Sequence, residues 1–325
     1  MLSTVEPIIS SISYIMHYIL PSDAIGTIAC CLVRLGIFAL LVTGVLATNA
    51  QNPPEVAKTR GKARANKSIY DLFHPTPSEL MREMSTDRPD QTESPYTVDA
   101  GHFQAEIDLV SAVFDRDRSG GGDRRTRGWG TSVNLKAGLW NNVDIQFVFD
   151  PYVHAQFDDL VAKTKETASG FADFQTRLKV NLWGNDGGKT ALAIMPFVIW
   201  PLPASDLRNG QTEGGVILPL AIELPAGWST TLMTELDFVS SGAGGYDADF
   251  VNSITFSHDI AGRLGGYIEF FSVASSASNS KWQGQFDLGF TYGVDDNLQL
   301  DAGCNFGVTS SAPDFNPFVG VSFRF

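Results

Sequence analysis

Residues 133–147, with the sequence VNLKAGLWNNVDIQF, alternate apolar and polar side chains, stop at Asn141-Asn142, and then resume the alternation. Successive side chains of a strand point to opposite faces, so each half of this stretch predicts a strand with one apolar and one polar face. The two asparagines tolerate turn conformations and predict a tight connection. The whole stretch therefore predicts a β-hairpin.

The same alternation continues outward from this hairpin, from about residue 102 to residue 325, in about twelve segments. Each segment is near the ~9–11 residues that a tilted strand needs to cross a bilayer. Short connections, such as Asn185-Asp186-Gly187 and Pro225-Ala226-Gly227, alternate with long ones. The long connections lie near residues 115–127, 151–169, 202–212, 239–249, 272–281 and 307–314.

Tight turns at one end and larger loops at the other are typical of transmembrane β-barrels. We therefore predict an all-β fold over residues 102–325: an antiparallel, up-and-down transmembrane β-barrel of about 12 strands, with the short turns in the periplasm. A soluble β-sandwich also has strands with one buried face, but it has no reason to keep all its long loops at one end. The segments 191–200 and 214–224 are apolar on both faces and alternate only weakly.

The first 101 residues divide into two parts. Residues 1–50 predict a cleaved signal or targeting segment, because Arg34 precedes the apolar run 35–47 and small residues follow it before Gln51. A retained membrane anchor is the alternative. Residues 51–101 predict a polar periplasmic linker or a plug segment.

Composition and motifs argue against several functions. The formal net charge of −13 argues against nucleic acid as a partner. Ser257-His258-Asp259 looks like a catalytic triad written in order, but neighbours on a strand point to opposite faces, so Ser257 and His258 cannot meet. Although barrel enzymes exist, we predict no enzyme activity, no cofactor and no metal site.

A family resemblance begins just before the first predicted strand. The run 85–95, STDRPDQTESP, leads into Gly101-His102-Phe103-Gln104. This run resembles the opening of the outer-membrane transporters in the family named for the MetA pathway of phenol degradation. A weaker similarity is Gly170-Phe171-Ala172-Asp173 followed by the strand at 177–182, in which Val180 replaces the family's usual aromatic residue. The resemblance covers about residues 80–325 and implies an outer-membrane barrel that passes small, often hydrophobic molecules.

The polar faces of the strands predict the lining of the lumen, and acids outnumber bases there. The candidate lumen-lining residues are Glu106, Asp108, Lys136, Asp144, Asp173, Arg177, Lys179, Glu235, Asp237, Glu269, Asp287, Asp301 and Arg324. Such a lumen is expected to be wet and to favour cations. The alternative is a structural interior in which these groups pair across strands. Twelve strands predict a bore between that of a filled eight-stranded barrel and that of an open sixteen-stranded porin.

Four charged residues before the barrel are candidates for a plug or for the periplasmic mouth: Asp87, Arg88, Asp90 and Glu93. Prolines at positions 89 and 95 stiffen this segment. A solvated acidic linker is the alternative.

The sequence thus predicts a channel or transporter in the Gram-negative outer membrane that passes small, hydrophobic or aromatic molecules. The alternative is a structural or surface-recognition barrel that binds through its long external loops. The expected partners are outer-membrane lipid, a small-molecule solute and the barrel-assembly machinery. The last of these is expected because the C-terminal Phe325 resembles the signal that this machinery reads.

Overall fold

The computed structural model describes residues 66–118, 121–172, 174–201, 211–241 and 244–325. The signal prediction for residues 1–50 and the first part of the predicted linker, 51–65, lie outside the described residues. The described strands are β1 (Phe103–Asp117), β2 (Arg124–Trp140), β3 (Val143–Asp159), β4 (Thr164–Gly170), β5 (Phe174–Trp183), β6 (Thr190–Trp200), β7 (Glu213–Glu223), β8 (Trp228–Ser240), β9 (Tyr246–Ala261), β10 (Leu264–Ser275), β11 (Gln283–Asp295), β12 (Leu298–Gly307) and β13 (Phe315–Arg324).

These strands form one closed antiparallel sheet. Each strand pairs with its sequence neighbours, except that β4 and β5 both pair with β3 and not with each other, and β1 also pairs with β13. Strands β4 and β5 share one position, because the first half of β3 pairs with β5 and its second half pairs with β4. The predicted barrel of about 12 strands is therefore confirmed.

Backbone hydrogen bonds between the first strand, β1, and the last strand, β13, close the barrel. The N–H of Phe103 donates to the carbonyl of Phe325 at 3.0 Å, and the N–H of Phe325 donates to the carbonyl of Phe103 at 2.9 Å. The two rings stack with their centroids 5.8 Å apart. This closure leaves no open sheet edge at the β1–β13 seam, as a barrel in lipid requires.

Four of the predicted long loops, those near 115–127, 151–169, 239–249 and 272–281, are shorter than expected, because the strands continue beyond the alternating segments. β1 extends to Asp117 and β2 begins at Arg124. The prediction of a loop over 151–169 was wrong, since β3 runs to Asp159 and β4 begins at Thr164. The sequence of β4, TKETASG, is exposed along most of its length and carries no apolar period of two that could reveal a strand.

The two faces of the barrel differ as the alternation predicts, except on one side. Large apolar side chains such as Leu135, Phe147 and Phe290 are exposed on the outer face, while Lys136 and Asp144 beside them are buried inside. On β6 to β10 part of the inner face is apolar as well. Here the buried side chains form a contiguous surface, called the apolar wall below: Met195, Phe197, Ile217, Met233, Val251, Phe271 and Val273.

The apolar wall explains the weak alternation of segments 191–200 and 214–224. These strands meet lipid on one side and the apolar half of the interior on the other, so neither face selects polar residues. Among the residues that the structure describes, no helix has the length and apolar character needed to cross a membrane.

Candidate functional site

The interior of the barrel holds a stretch of the N-terminal region, residues 85–98, which we call the plug segment. The segment turns inside the lumen and returns. Near its start and end, the hydroxyls of Ser85 and Ser94 lie 2.7 Å apart, and the N–H of Ser94 donates to Asp87 at 2.9 Å. The N–H of Gln91 donates to Glu269 on β10 at 2.9 Å. The plug segment thus forms its hydrogen bonds with the polar side chains of the lumen.

Asp87 is bound by two lysines of the barrel wall. Its carboxylate lies 2.6 Å from Nζ of Lys179 and also pairs with Lys136, which in turn pairs with Glu106. The backbone N–H of Asp87 donates to Glu106 at 3.0 Å. Buried charges are tolerated only when they are paired and hydrogen-bonded, so the four groups stabilise one another only while the plug segment is in place.

Arg88 forms the second attachment, on strands β1 and β12 next to the first. Its guanidinium pairs with Asp301 on β12 at 2.7 Å and with Asp108 on β1. It also lies over the ring of Phe318, 5.7 Å from the centroid. Gly320 makes this position available, because a Cβ added there would overlap the guanidinium.

The tip of the plug segment contacts the acidic side of the lumen. The amide nitrogen Nε2 of Gln91 donates to Asp287 at 2.9 Å, and the hydroxyl of Thr92 lies 2.6 Å from that of Ser253. Beyond the tip, Glu93 pairs with Arg177 on β5. The plug segment therefore touches strands from all sides of the barrel.

Residues 66–84 lie across the periplasmic mouth. Lys67 pairs with Asp186, in the β5–β6 turn, at 2.9 Å and with Asp99 at 3.2 Å. Arg82 pairs with the same two carboxylates at 3.0 Å and 3.3 Å. Arg324 donates to the carbonyl of Arg82 at 2.9 Å and lies 3.7 Å from Asp99. Lys67 and Arg82 thus connect this segment to the β5–β6 turn of the barrel.

The surroundings of Asp186 shift its acidity. Burial acts to raise the pKa of Asp186, but the hydrogen bonds from Asn141, at 2.6 Å, and from Lys67 outweigh it. The pKa of Asp186 is therefore held below its usual value, and its carboxylate stays charged at the mouth.

The structure places the candidate lumen residues as follows. Glu106, Asp108, Lys136, Asp144, Arg177, Lys179, Glu235, Asp237, Glu269, Asp287 and Asp301 lie on the inner face. Arg324 lies at the periplasmic mouth, beside Arg82, and Asp173 lies outside the described residues. Asp87, Arg88, Asp90 and Glu93 all belong to the plug segment. That these residues line a path for a solute stays a prediction.

The structure separates the members of the sequence run 257–259. The hydroxyl of Ser257 lies 2.7 Å from that of Ser229, whereas Nε2 of His258 lies 3.1 Å from the carbonyl oxygen of Ala226. The ring of His258 also packs on Trp228, with centroids 4.7 Å apart. Ser257 and His258 thus have different partners, as expected for neighbours on one strand.

A cavity of about 290 Å³ lies between the plug segment and the barrel wall. Phe197, Ile217 and Phe271 of the apolar wall line one side of it, and Glu235 and Asp237 of β8 lie among its polar groups. The sequence interpretation missed the apolar wall. The signal was present, however, in the two segments that are apolar on both faces.

The fold and the plugged interior define an outer-membrane β-barrel, and the outer membrane is its location. The family model described as "Putative MetA-pathway of phenol degradation" matches residues 86–325. The chain belongs to this family, as the resemblance at residues 85–106 predicted. The match begins inside the plug segment and ends at the last residue of the barrel. No curated protein matches the sequence.

Solved structures with a similar fold include the COG4313 outer membrane channel from Pseudomonas putida F1, at a TM-score of 0.51 and 11% identity. That alignment covers 74% of this chain and 100% of the channel. The NanC porin aligns at a TM-score of 0.45 and 10% identity, over 68% of this chain and 100% of the porin. The translocator domain of the autotransporter NalP from Neisseria meningitidis aligns at 0.42 and 11% identity, over 68% of this chain and 88% of its own. At these identities a similarity shows the barrel fold and nothing more. Of the three alignments, the one with the COG4313 channel is close enough to support even the fold.

Proposed function

We propose that the protein is an outer-membrane channel that passes small molecules with apolar or aromatic parts, and that the plug segment narrows its lumen. The observation that carries the proposal is the cavity between the plug segment and the apolar wall. Its volume of about 290 Å³ is near the lower end of the ~300–1,000 Å³ found for small-molecule sites. A polar lining together with an apolar wall suits solutes that carry both kinds of surface.

Family membership supports a shared barrel but names no solute for this chain. The charge pattern supports the role of the plug segment, because Asp87, which is not part of the barrel wall, pairs with both Lys136 and Lys179. A barrel built only for structure would be expected to pair Lys179 with a carboxylate of its own strands, whereas the ion pair that Lys179 forms within the described residues is with Asp87.

The Asp87→Asn substitution tests this proposal. The change replaces the carboxylate by an uncharged amide of nearly the same shape, so both lysines lose a buried charged partner. Removing one partner of a buried pair costs about 3–5 kcal/mol. We expect the plug segment to be held less tightly and solute flux to rise several-fold. The measurement is flux of small solutes of graded apolarity into liposomes that contain the full-length protein.

The matched control is Asp123→Asn, since Asp123 pairs with the exposed Arg116 near the β1–β2 connection, away from the plug segment. Heat-modifiable migration on a denaturing gel shows that each variant is a folded barrel. If neither the native protein nor the Asp87→Asn variant passes any small solute, the channel proposal is wrong. A surface-recognition barrel would then be the better interpretation.

A further inference from the structure

The cavity has an unequal charge balance. Its described lining contains nine carboxyl side chains and only two basic ones, Arg88 and Arg177. Both bases already have carboxylate partners, because Arg88 pairs with Asp108 and Asp301 and Arg177 pairs with Glu93. A ligand in this cavity would therefore meet an excess of negative charge.

Two of the lining carboxylates lie where a ligand could pair with them. Within the described residues, no lysine or arginine lies within ion-pair distance of Glu235 of β8 or of Asp90 of the plug segment. Glu235 shares a hydrogen bond with Asp237 and is attracted by Arg177, and Asp90 is hydrogen-bonded to Thr255. Glu235 is only half-buried, whereas Phe197 and Ile217, which line the same cavity, are at least nine-tenths buried. A carboxylate and an apolar surface are thus available within one small space.

The cavity already holds one cation in this kind of surrounding. The guanidinium of Arg88 lies over the ring of Phe318 while two carboxylates pair with it. Aromatic faces and carboxylates are the groups that bind quaternary and other organic ammonium ions. Phe197 and Phe271 provide further aromatic surface in the lining of the same cavity.

We infer that this cavity binds a small organic cation whose charged group is attached to an apolar or aromatic body. The carboxylates of Glu235 and Asp90 face the charge, and the apolar wall receives the body. The inference deepens the proposed channel function, because it names the class of solute that the narrowed lumen selects.

The test is isothermal titration calorimetry of the full-length protein in a nonionic detergent. The probes are benzyltrimethylammonium, tetramethylammonium, which lacks the apolar body, and phenylacetate, which carries the opposite charge. We expect benzyltrimethylammonium to bind at least tenfold more tightly than either of the others. Equal affinity for benzyltrimethylammonium and phenylacetate would overturn the inference.

Two variants locate the site. Glu235→Gln and Asp90→Asn are each expected to weaken benzyltrimethylammonium binding about tenfold, whereas Asp123→Asn, outside the cavity, is expected to leave it unchanged. The two substitutions lie on different parts of the chain, so if one of them prevents folding, the other, still heat-modifiable, is enough to test the site. Unchanged affinity in a folded variant of either kind would contradict the assignment.

Flux measurements on the same protein separate this inference from the proposed function. If neutral solutes cross but benzyltrimethylammonium does not bind, the channel proposal stands and the cation site is wrong. If benzyltrimethylammonium binds but no solute crosses, the cation site stands and the channel proposal is wrong.

Discussion

Gly320 shows how a missing side chain makes room for a buried charge. It lies on the inner face of β13, and the guanidinium of Arg88 occupies the space that a Cβ would fill. Asp301, its partner across the β12–β13 pair, accepts from that guanidinium at 2.7 Å. The residue at position 320 thus decides whether Arg88 can reach its carboxylates.

We expect the Gly320→Ala substitution to displace Arg88 without unfolding the barrel. Asp108 and Asp301 would lose their common partner, and a loss of about 3–5 kcal/mol corresponds to at least two powers of ten in an opening equilibrium. Hydrogen exchange of the plug segment, followed by mass spectrometry, should become at least 100-fold faster, by the same conversion. The control is Gly293→Ala, where an added Cβ meets only ordinary contacts. Unchanged exchange in the Gly320 variant would show that Arg88 does not anchor the plug segment.

At this scale the sequence predicts residue types but not partners. The charged side chains within 85–95 indicated a segment that plugs the lumen or lines its periplasmic mouth. The alternation indicated which strand residues face inward. The pairing of Arg88 with Asp301 spans 213 positions in the chain. It exists only because β12 and β13 close onto β1, so no local pattern could reveal it.

At the scale of elements, the segment 66–84 is held over the periplasmic mouth by the β5–β6 turn, which carries the charged Asp186. Lys67 and Arg82 both pair with Asp186, and both also lie near Asp99. Because the pKa of Asp186 is lowered in the folded protein, its stabilising contribution is present above the unfolded value of about 3.9 and is lost as the pH falls through the folded value.

We therefore expect residues 66–84 to come off the mouth in acid. Their protection from a protease that works at low pH should fall as the pH drops below about 4, while the barrel remains heat-modifiable. The Asp186→Asn variant should show weaker protection at neutral pH and a smaller decrease in acid. A native protein with equal protection at pH 7 and pH 3 would refute the role of Asp186.

Directly after the closing strand β13, Phe325 contributes to the β1–β13 seam through its backbone as well as through its ring. The two hydrogen bonds to Phe103 do not depend on the side chain. We expect Phe325→Ser to refold normally in detergent but to reach the outer membrane several-fold less efficiently, since its side chain resembles the assembly signal. The measurement is the heat-modifiable fraction in isolated outer membranes, with Phe323→Ser as the control. Equal yields for the two variants would argue against recognition of Phe325.

The whole molecule combines a wall that closes by itself with an interior that needs the plug segment. The ladder from β1 round to β13 is made of backbone hydrogen bonds between strands, so alternation and turn residues were enough to predict it apart from β4 and the ends of some strands. The interior is different. The nearly fully buried Lys136 and Lys179 both pair with Asp87, which enters from outside the barrel wall. The period of two carries no information about what fills a lumen.

This division predicts the behaviour of a protein in which residues 85–98 are replaced by a glycine-serine linker of equal length. The barrel should fold, because its seam and ladders remain, and water should replace the plug segment around the lumen charges. Conductance in planar bilayers should then rise several-fold and become more cation-selective, since Asp144, Glu269, Asp287 and Asp301 outnumber the lumen lysines. The matched control replaces residues 160–163, at the tip of the β3–β4 hairpin, and should leave conductance unchanged. If the linker protein conducts no better than the native protein, the narrowest part of the lumen must lie elsewhere, because the barrel wall is the same in both.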